Sequence, residues 1–200
     1  MPQLFPMFLK LQNRAVLVVG AGQIAEQKIH GLLSTGALIR VVAKTANETV
    51  QRVAAAGRIR LDQREFSPSD LDGVFLVIAA TGLQTLNRRI FAEAQRRGIL
   101  CNVVDVPELC DFFYPAVVRR GSLQIAISTG GQSPSLAQKL RVQLECQFGP
   151  GYADWVARLG EARRVVLSSV LNSERKRCLL HSLAGKEAVE AEIAALEDKS

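Results

Sequence analysis

Two hundred residues make one large domain or two small ones. A make-up of 48% hydrophobic and 22% charged residues is that of an ordinary folded chain rather than a disordered one. The longest unbroken apolar run, Val74 to Ala80, is far too short for a membrane-spanning helix, and the 25 basic against 19 acidic residues leave a net +6.

The first hundred residues alternate between two periods. Arg14 to Val19 is an apolar, β-branched run stopped by glycine and reads as a buried strand. Gln23 to Thr35 carries Ile24, Ile29, Leu32 and Leu33 at helical spacing and closes at Gly36. Leu38 to Ala43 is a second strand, Asn47 to Ala56 a second helix, and Ile59 with Leu61 mark a short third strand. Val74 to Ala80 is a strand, Leu83 to Arg96 a helix ended at Gly98, and Ile99 to Val104 another strand. Strand-helix alternation of this kind predicts a parallel sheet with helices on both faces, and the runs lack a polar face, as doubly covered strands do.

The pattern changes near Asp111. Phe113 to Arg119 and Leu123 to Thr129 are strands joined by Arg120-Gly121-Ser122 with no helix between, which predicts an antiparallel pair. Ser133-Pro134 opens a helix running to about Cys146: serine caps it and proline suits its first turn. From Tyr152 everything reads as helix, three in all, split near Asn172-Ser173 and Ser182–Gly185. The expected domains are residues 1–112, a strand-strand-helix module over 113–147, and a helical part over 148–200.

Charge is unevenly placed. From Phe112 to Arg177 there are ten Lys/Arg against four Asp/Glu, whereas Lys186 to Ser200 holds two basic and five acidic residues. A basic middle suggests an acidic partner, a small polyanion among the candidates, or simply a solvated surface. No basic helix has base-reading spacing, so nucleic acid is not expected. Cys101, Cys110, Cys146 and Cys178 show neither CxxC nor zinc spacing, which fits a reduced, cytoplasmic chain. The lead Met1-Pro2-Gln3-Leu4-Phe5-Pro6 is not read as a secretory signal.

Three segments carry chemistry. The first, Gly20-Ala21-Gly22-Gln23-Ile24-Ala25, is a GxGxxA between a strand and a helix, the context of a Rossmann-type dinucleotide site. Gly20 permits the tight turn, Gly22 leaves room for a pyrophosphate, and the helix N-terminus offers free N–H groups to phosphates. The Asp or Glu that such sites usually carry after the second strand is missing from Val41-Val42-Ala43-Lys44-Thr45. Lys44 favours a 2′-phosphate and hence NADP; alternatively, Thr45 and backbone groups hold the ribose of NAD. The second segment is Cys101-Asn102-Val103-Val104-Asp105, at the carboxyl end of the last parallel strand. Asp105 is the best-placed carboxylate for proton transfer, the alternative being a turn cap before Val106-Pro107. Asn102 reads as a loop-orienting residue and Cys101 as a small buried hydrophobe. The third is Ser128-Thr129-Gly130-Gly131-Gln132-Ser133-Pro134, an anion-binding loop or only a turn and cap. Arg119, Arg120, Lys139 and Arg141 lie nearby in sequence and can pair with carboxylates. His30 and His181 neighbour no nucleophile, and HExxH, GxSxG and the P-loop lysine are all lacking.

Together these residues resemble the precorrin-2 dehydrogenase family, which includes the amino-terminal part of siroheme synthase and stand-alone dehydrogenase/ferrochelatase proteins. The resemblance rests on Leu4-Phe5-Pro6-Met7-Phe8-Leu9, Val18 to Ala25 with Lys28 one turn on, Ala79-Ala80-Thr81 with Asn87, Cys101 to Asp105, Phe113-Tyr114-Pro115-Ala116 and Ile127 to Pro134. Thr129 stands where some relatives have serine. The resemblance implies oxidation of precorrin-2 to sirohydrochlorin with NAD⁺, and in many members Fe²⁺ insertion to give siroheme. It implies a homodimer joined largely by the strand-strand-helix module. Its key carboxylate aligns with Asp105, and its cofactor contacts with Gln23, Ile24, Lys44 and Thr45, beside Gly20, Gly22 and Thr81. The expected substrate contacts are Asn102, Ser128, Thr129, Gly130, Gly131, Ser133, Arg119 and Lys139. No protein metal site is expected, because the tetrapyrrole nitrogens are the ligands. The family commonly lacks the acidic ribose residue. The competing reading is a regulatory module that senses NAD(H) without catalysis, which has no use for Asp105 and the Ser128–Ser133 loop together.

Overall fold

The structure, a computed structural model, describes residues 3–185. Phe5–Tyr114 form one compact unit, and the residues from Pro115 onward form a second.

In the first unit β1 (Ala15–Val19), β2 (Leu38–Ala43), β3 (Arg60–Gln63), β4 (Leu76–Ala79) and β5 (Leu100–Val103) build a parallel sheet in the order β3-β2-β1-β4-β5. Helices α1 (Gln23–Leu32), α2 (Glu48–Ala55) and α3 (Gln84–Arg96) supply the crossovers. Residues in β1 alternate between two cores, as period-2 geometry requires. Val16 and Val18 join Ile29, Leu32, Val41 and Val50 on one face, while Leu17 and Val19 join Val77, Ile90, Ala94 and Val103 on the other. Both faces are thus covered, which explains why the strands read as unbroken apolar runs.

In the second unit β6 (Ala116–Arg120) and β7 (Leu123–Ile127) pair antiparallel, followed by α4 (Pro134–Gln147), α5 (Tyr152–Ser168) and α6 (Ser173–Leu183). Gly121, at the turn between the strands, sits where a Cβ would come 3.2 Å from the Ala153 Cβ, so α5 packs close upon it. Arg120 fastens the end of α4 to β6, donating from Nε to the Phe148 carbonyl at 2.8 Å and from its terminal amine to the Glu145 carbonyl at 3.2 Å.

The expected elements are all present among the described residues, with shorter ends. Val74 and Phe75 stand outside β4, which starts at Leu76, and Ile59 packs in the core without joining β3. Leu83 is the N-cap of α3 rather than its first turn, and Phe113 precedes β6. Two helices follow Tyr152; the third expected one lies outside the described residues.

Candidate active site at the carboxyl rim of the parallel sheet

The strand order reverses between β2-β1 and β4-β5, so the carboxyl ends of β1 and β4 flank the crevice where open α/β sheets bind ligands. Backbone hydrogen bonds fix this rim. Gly20 N–H donates to Val42 O at 2.9 Å, Ala80 N–H to Val19 O at 2.8 Å, and Val104 N–H to Ala79 O at 3.0 Å. The segments after β1, β4 and β5 therefore stand side by side.

Gly20 adopts φ +110, and a Cβ there would lie 2.3 Å from the Ala80 carbonyl oxygen, so nothing larger fits. Gly22 is the N-cap of α1, has no side-chain cap, and faces open space in which a Cβ would meet nothing within 4 Å. The first-turn N–H groups are left for an anion, and the space over Gly22 is the cradle a side chain would fill. Asn47 ties this turn to α2: its N–H donates to Ala21 O at 3.0 Å, its amide to Glu26 Oε2 at 2.6 Å, and its Oδ1 accepts from Val50 N–H at 2.9 Å. Gln23 and Ile24 are exposed at the start of α1, and Leu83 is exposed at the start of α3. Thr81 is bound locally, donating to Asn87 Oδ1 at 2.6 Å while the buried Asn87 amide donates to Thr81 O at 3.0 Å. That lock sets the β4–α3 turn beside Gly20.

Asp105 is exposed and adopts φ +62, a left-handed conformation that only asparagine and aspartate among non-glycine residues visit readily. Its carboxylate accepts no hydrogen bond from any described residue, so it does not cap the turn. The thiol of Cys110 brackets that turn instead, donating to Val103 O at 3.1 Å and approaching Val106 O at 3.3 Å. Burial pushes the Cys110 thiol above its ordinary value and that of Cys101 up to about 12, so both remain protonated structural groups. Asn102 is 6% exposed and donates from Nδ2 to Phe112 O at 2.8 Å, which orients the loop behind Asp105.

Lys28 reaches the same place from α1. Its Nζ stands 3.9 Å from the centre of the Tyr114 ring, a cation–π contact. Burial pulls its ammonium below the ordinary lysine value, opposed first by the charge of Asp105. The sequence marked Lys28 and Tyr114 only as parts of a pattern. A tertiary contact, invisible along the chain, brings Lys28 onto Tyr114, within range of the Asp105 charge.

Lys44 and Thr45 are exposed at the tip of β2. A carboxylate does stand beside that strand end. Glu65, two residues beyond β3, places Oε1 2.6 Å from Lys44 Nζ. Strand pairing, not sequence spacing, delivers it.

The remaining predicted residues lie in the second unit. Gly130 and Gly131 turn with φ +61 and +81, Gly130 N–H donates to Ser128 Oγ at 3.2 Å, and Ser133 N–H donates to Thr129 Oγ1 at 3.1 Å. Ser133 Oγ caps α4 by accepting from Leu136 N–H at 3.2 Å. These hydroxyls thus make the turn and cap, leaving the loop's N–H groups near a helix N-terminus. Arg119 and Lys139 are exposed with no ion pair among the described residues, while Arg141 holds Glu145 at 2.5 Å and Arg120 is spent on α4.

Comparison with known proteins follows this division. A family model described as NAD(P)-binding matches residues 7–116, and one described as "Sirohaem biosynthesis protein central" matches residues 120–147. The chain is 42% identical over 182 residues to siroheme synthase 2 of Yersinia pestis (strain Pestoides F), covering 90% of this chain and 39% of that one. It is 46% identical over 162 residues to siroheme synthase of Ectopseudomonas mendocina, covering 81% and 34%. It therefore spans about two-fifths of the length of these relatives or less. A solved structure of "SirC, precorrin-2 dehydrogenase" superposes with a TM-score of 0.80 at 30% identity, covering 92% of each chain.

Proposed function

The chain belongs to the precorrin-2 dehydrogenase family, and on that premise we propose that it oxidises precorrin-2 to sirohydrochlorin with NAD⁺, in the synthesis of siroheme. One observation carries the reading. A glycine cradle fit for a pyrophosphate and an exposed, left-handed Asp105 stand on the same rim, two strands apart. Two strand spacings are roughly 10 Å, so a dinucleotide laid across Gly20–Ile24 brings its reactive ring toward Asp105. NAD⁺, when bound, accepts the hydride.

The rest of the work belongs to the protein. Gly20, Gly22, Gln23 and Ile24 hold the phosphates, Lys44 and Thr45 meet the ribose, and Thr81 sets the wall beside Gly20. Asp105 takes the proton released as the reduced macrocycle loses its hydride, so one C–H gives up an electron pair and a second site gives up H⁺. Its side chain is exposed and accepts no hydrogen bond from a described residue, which leaves its oxygens open to a proton. Lys28 offers a cation to the polyanionic substrate beside that acid. In the second unit the loop Ser128, Thr129, Gly130, Gly131, Ser133, with Arg119 and Lys139, binds substrate carboxylates, and Asn102 acts by orientation.

A second activity is supported by the same exposed base: Fe²⁺, as a substrate, enters sirohydrochlorin when Asp105 removes pyrrole N–H protons. The active species is proposed to be a homodimer. A two-stranded ribbon is marginal alone, and Leu123, Ile125 and Ile127 on β7 are only partly covered. A regulatory nucleotide sensor gains nothing from an exposed acid held at the rim beside a lysine. The test is direct: purified protein with precorrin-2 and NAD⁺ is followed by visible absorbance, with Fe²⁺ added afterwards. Growth of the sirohydrochlorin spectrum together with stoichiometric NADH is the expected result. No spectral change with either coenzyme refutes the proposal.

A further inference from the structure

We propose that Glu65, held on Lys44, sets the coenzyme selectivity of this site by supplying the ribose-binding acid from the neighbouring strand and by repelling a 2′-phosphate. The inference rests on the dinucleotide reading above and goes beyond it. Lys44 immediately follows β2, the place where nucleotide-binding sheets present an acid to ribose hydroxyls or a cation to a 2′-phosphate. Read along the chain, this position leaves NAD and NADP open. The strand pairing adds a carboxylate that bears on the choice. β3 runs parallel to β2 with Ala43 opposite Gln63, so the chain leaving β3 passes the tip of β2 and brings Glu65 to 2.6 Å from Lys44.

Three facts argue that the pair serves a ligand. Lys44 and Glu65 side chains are 68% and 74% exposed, and such surface pairs contribute roughly 0–1 kcal/mol to stability. Fold maintenance therefore does not explain the pair. The backbone of Glu65 is pinned, since Arg64 donates to its carbonyl at 2.8 Å. The guanidinium that would otherwise welcome a phosphate is also spent: Arg64 is bidentate on the buried Asp70, at 2.5 and 2.9 Å. Lys44, neutralised by Glu65, and the Glu65 carboxylate thus face the ribose end of the rim. A 2′-phosphate, carrying about −1.5 to −2 charges, would meet that carboxylate, whereas two ribose hydroxyls can donate to it.

Fluorescence titration of the full chain with NADH and NADPH, without substrate, tests this. The native protein is expected to bind NADH at least about tenfold more tightly than NADPH. Glu65→Gln is expected to narrow that ratio about three- to tenfold, mainly by tightening NADPH on the released Lys44. Lys44→Ala is expected to widen it. An unchanged ratio in Glu65→Gln overturns the proposal, and so does equal loss of both coenzymes. If the native protein binds neither, the dinucleotide reading itself falls, a result distinct from binding without selectivity.

Discussion

Replacing Asp105 by asparagine separates the two jobs an aspartate can do at a tight turn. At φ +62 most L-residues are strained by about 1–2 kcal/mol, but asparagine shares aspartate's tolerance of this region. Asp105→Asn therefore keeps the turn, which is held by the Cys110 thiol and the Val106 N–H to Val103 O bond rather than by the carboxylate. What it removes is the proton acceptor. Loss of a positioned general base lowers turnover by about 10² to 10⁴, or roughly 3–5 kcal/mol of barrier. Asp105→Gly, which relaxes the backbone altogether, should lose the same amount. Asp105→Ala should lose that and also about 1 kcal/mol of stability. The assay is steady-state NADH formation from precorrin-2, alongside NADH titration and thermal melting of each variant. NADH affinity should be unchanged in all three. If Asp105→Asn and Asp105→Gly both turn over at the native rate, Asp105 is a turn residue and the proton-transfer argument is wrong.

Gly20→Ala must place a Cβ 2.3 Å from the Ala80 carbonyl at a backbone angle alanine avoids, so melting should show a loss of at least about 2 kcal/mol and NADH titration a large loss of affinity. Lys28→Gln removes the cation over the Tyr114 ring, and kinetics should show KM for the polyanionic substrate raised several-fold with NADH affinity unchanged. Asp70 is 2% exposed, and the Arg64 hydrogen bond, with the Ser67 N–H and the Arg40 charge, overcomes burial and holds its carboxyl below the ordinary range. Its contribution is complete above the unfolded value of about 3.9 and fades as pH falls through the lower folded value. Denaturant titration should accordingly find Asp70→Asn about 2–4 kcal/mol less stable at neutral pH. The gap between the two proteins should shrink below about pH 4.

The order of elements was legible because each strand is a short apolar run and most helices end at a glycine. Gly36, Gly57 and Gly98 all take left-handed angles just past α1, α2 and α3. Strand ends were not legible, because pairing decides them: Val74 is as apolar as Leu76, but only the register with β1 admits Leu76. The glycine cradle and Asp105 were legible for a similar reason, since both sit at strand ends in one continuous segment. Glu65 was not. Its partner is 21 positions earlier, and nothing short of the β2–β3 pairing shows that the two tips coincide. Lys28 and Tyr114 were recognisable as a pattern and opaque as chemistry, because their meeting depends on α1 lying against the chain that follows β5.

The charges around the rim show why the few exposed ones matter. Arg40 is held by Asp62 at 2.6 Å and by Asp70 at 2.9 Å, and Arg64 by Asp70. This cluster fastens β2 and β3 to the one-turn helix Pro68–Leu71, and its members have their partners inside the fold. A charge already paired and partly dehydrated gains little from a ligand, because binding must first undo the pair. Lys44 with Glu65 is different: the pair is solvated and cheap to exchange. Asp105 is different again, with no hydrogen bond from a described residue to give up. Lys28 rests on a π face, a contact a substrate carboxylate can join rather than replace. Availability, more than sign or number, therefore separates these side chains from the paired ones and makes them the candidates to meet coenzyme and substrate under the proposed function.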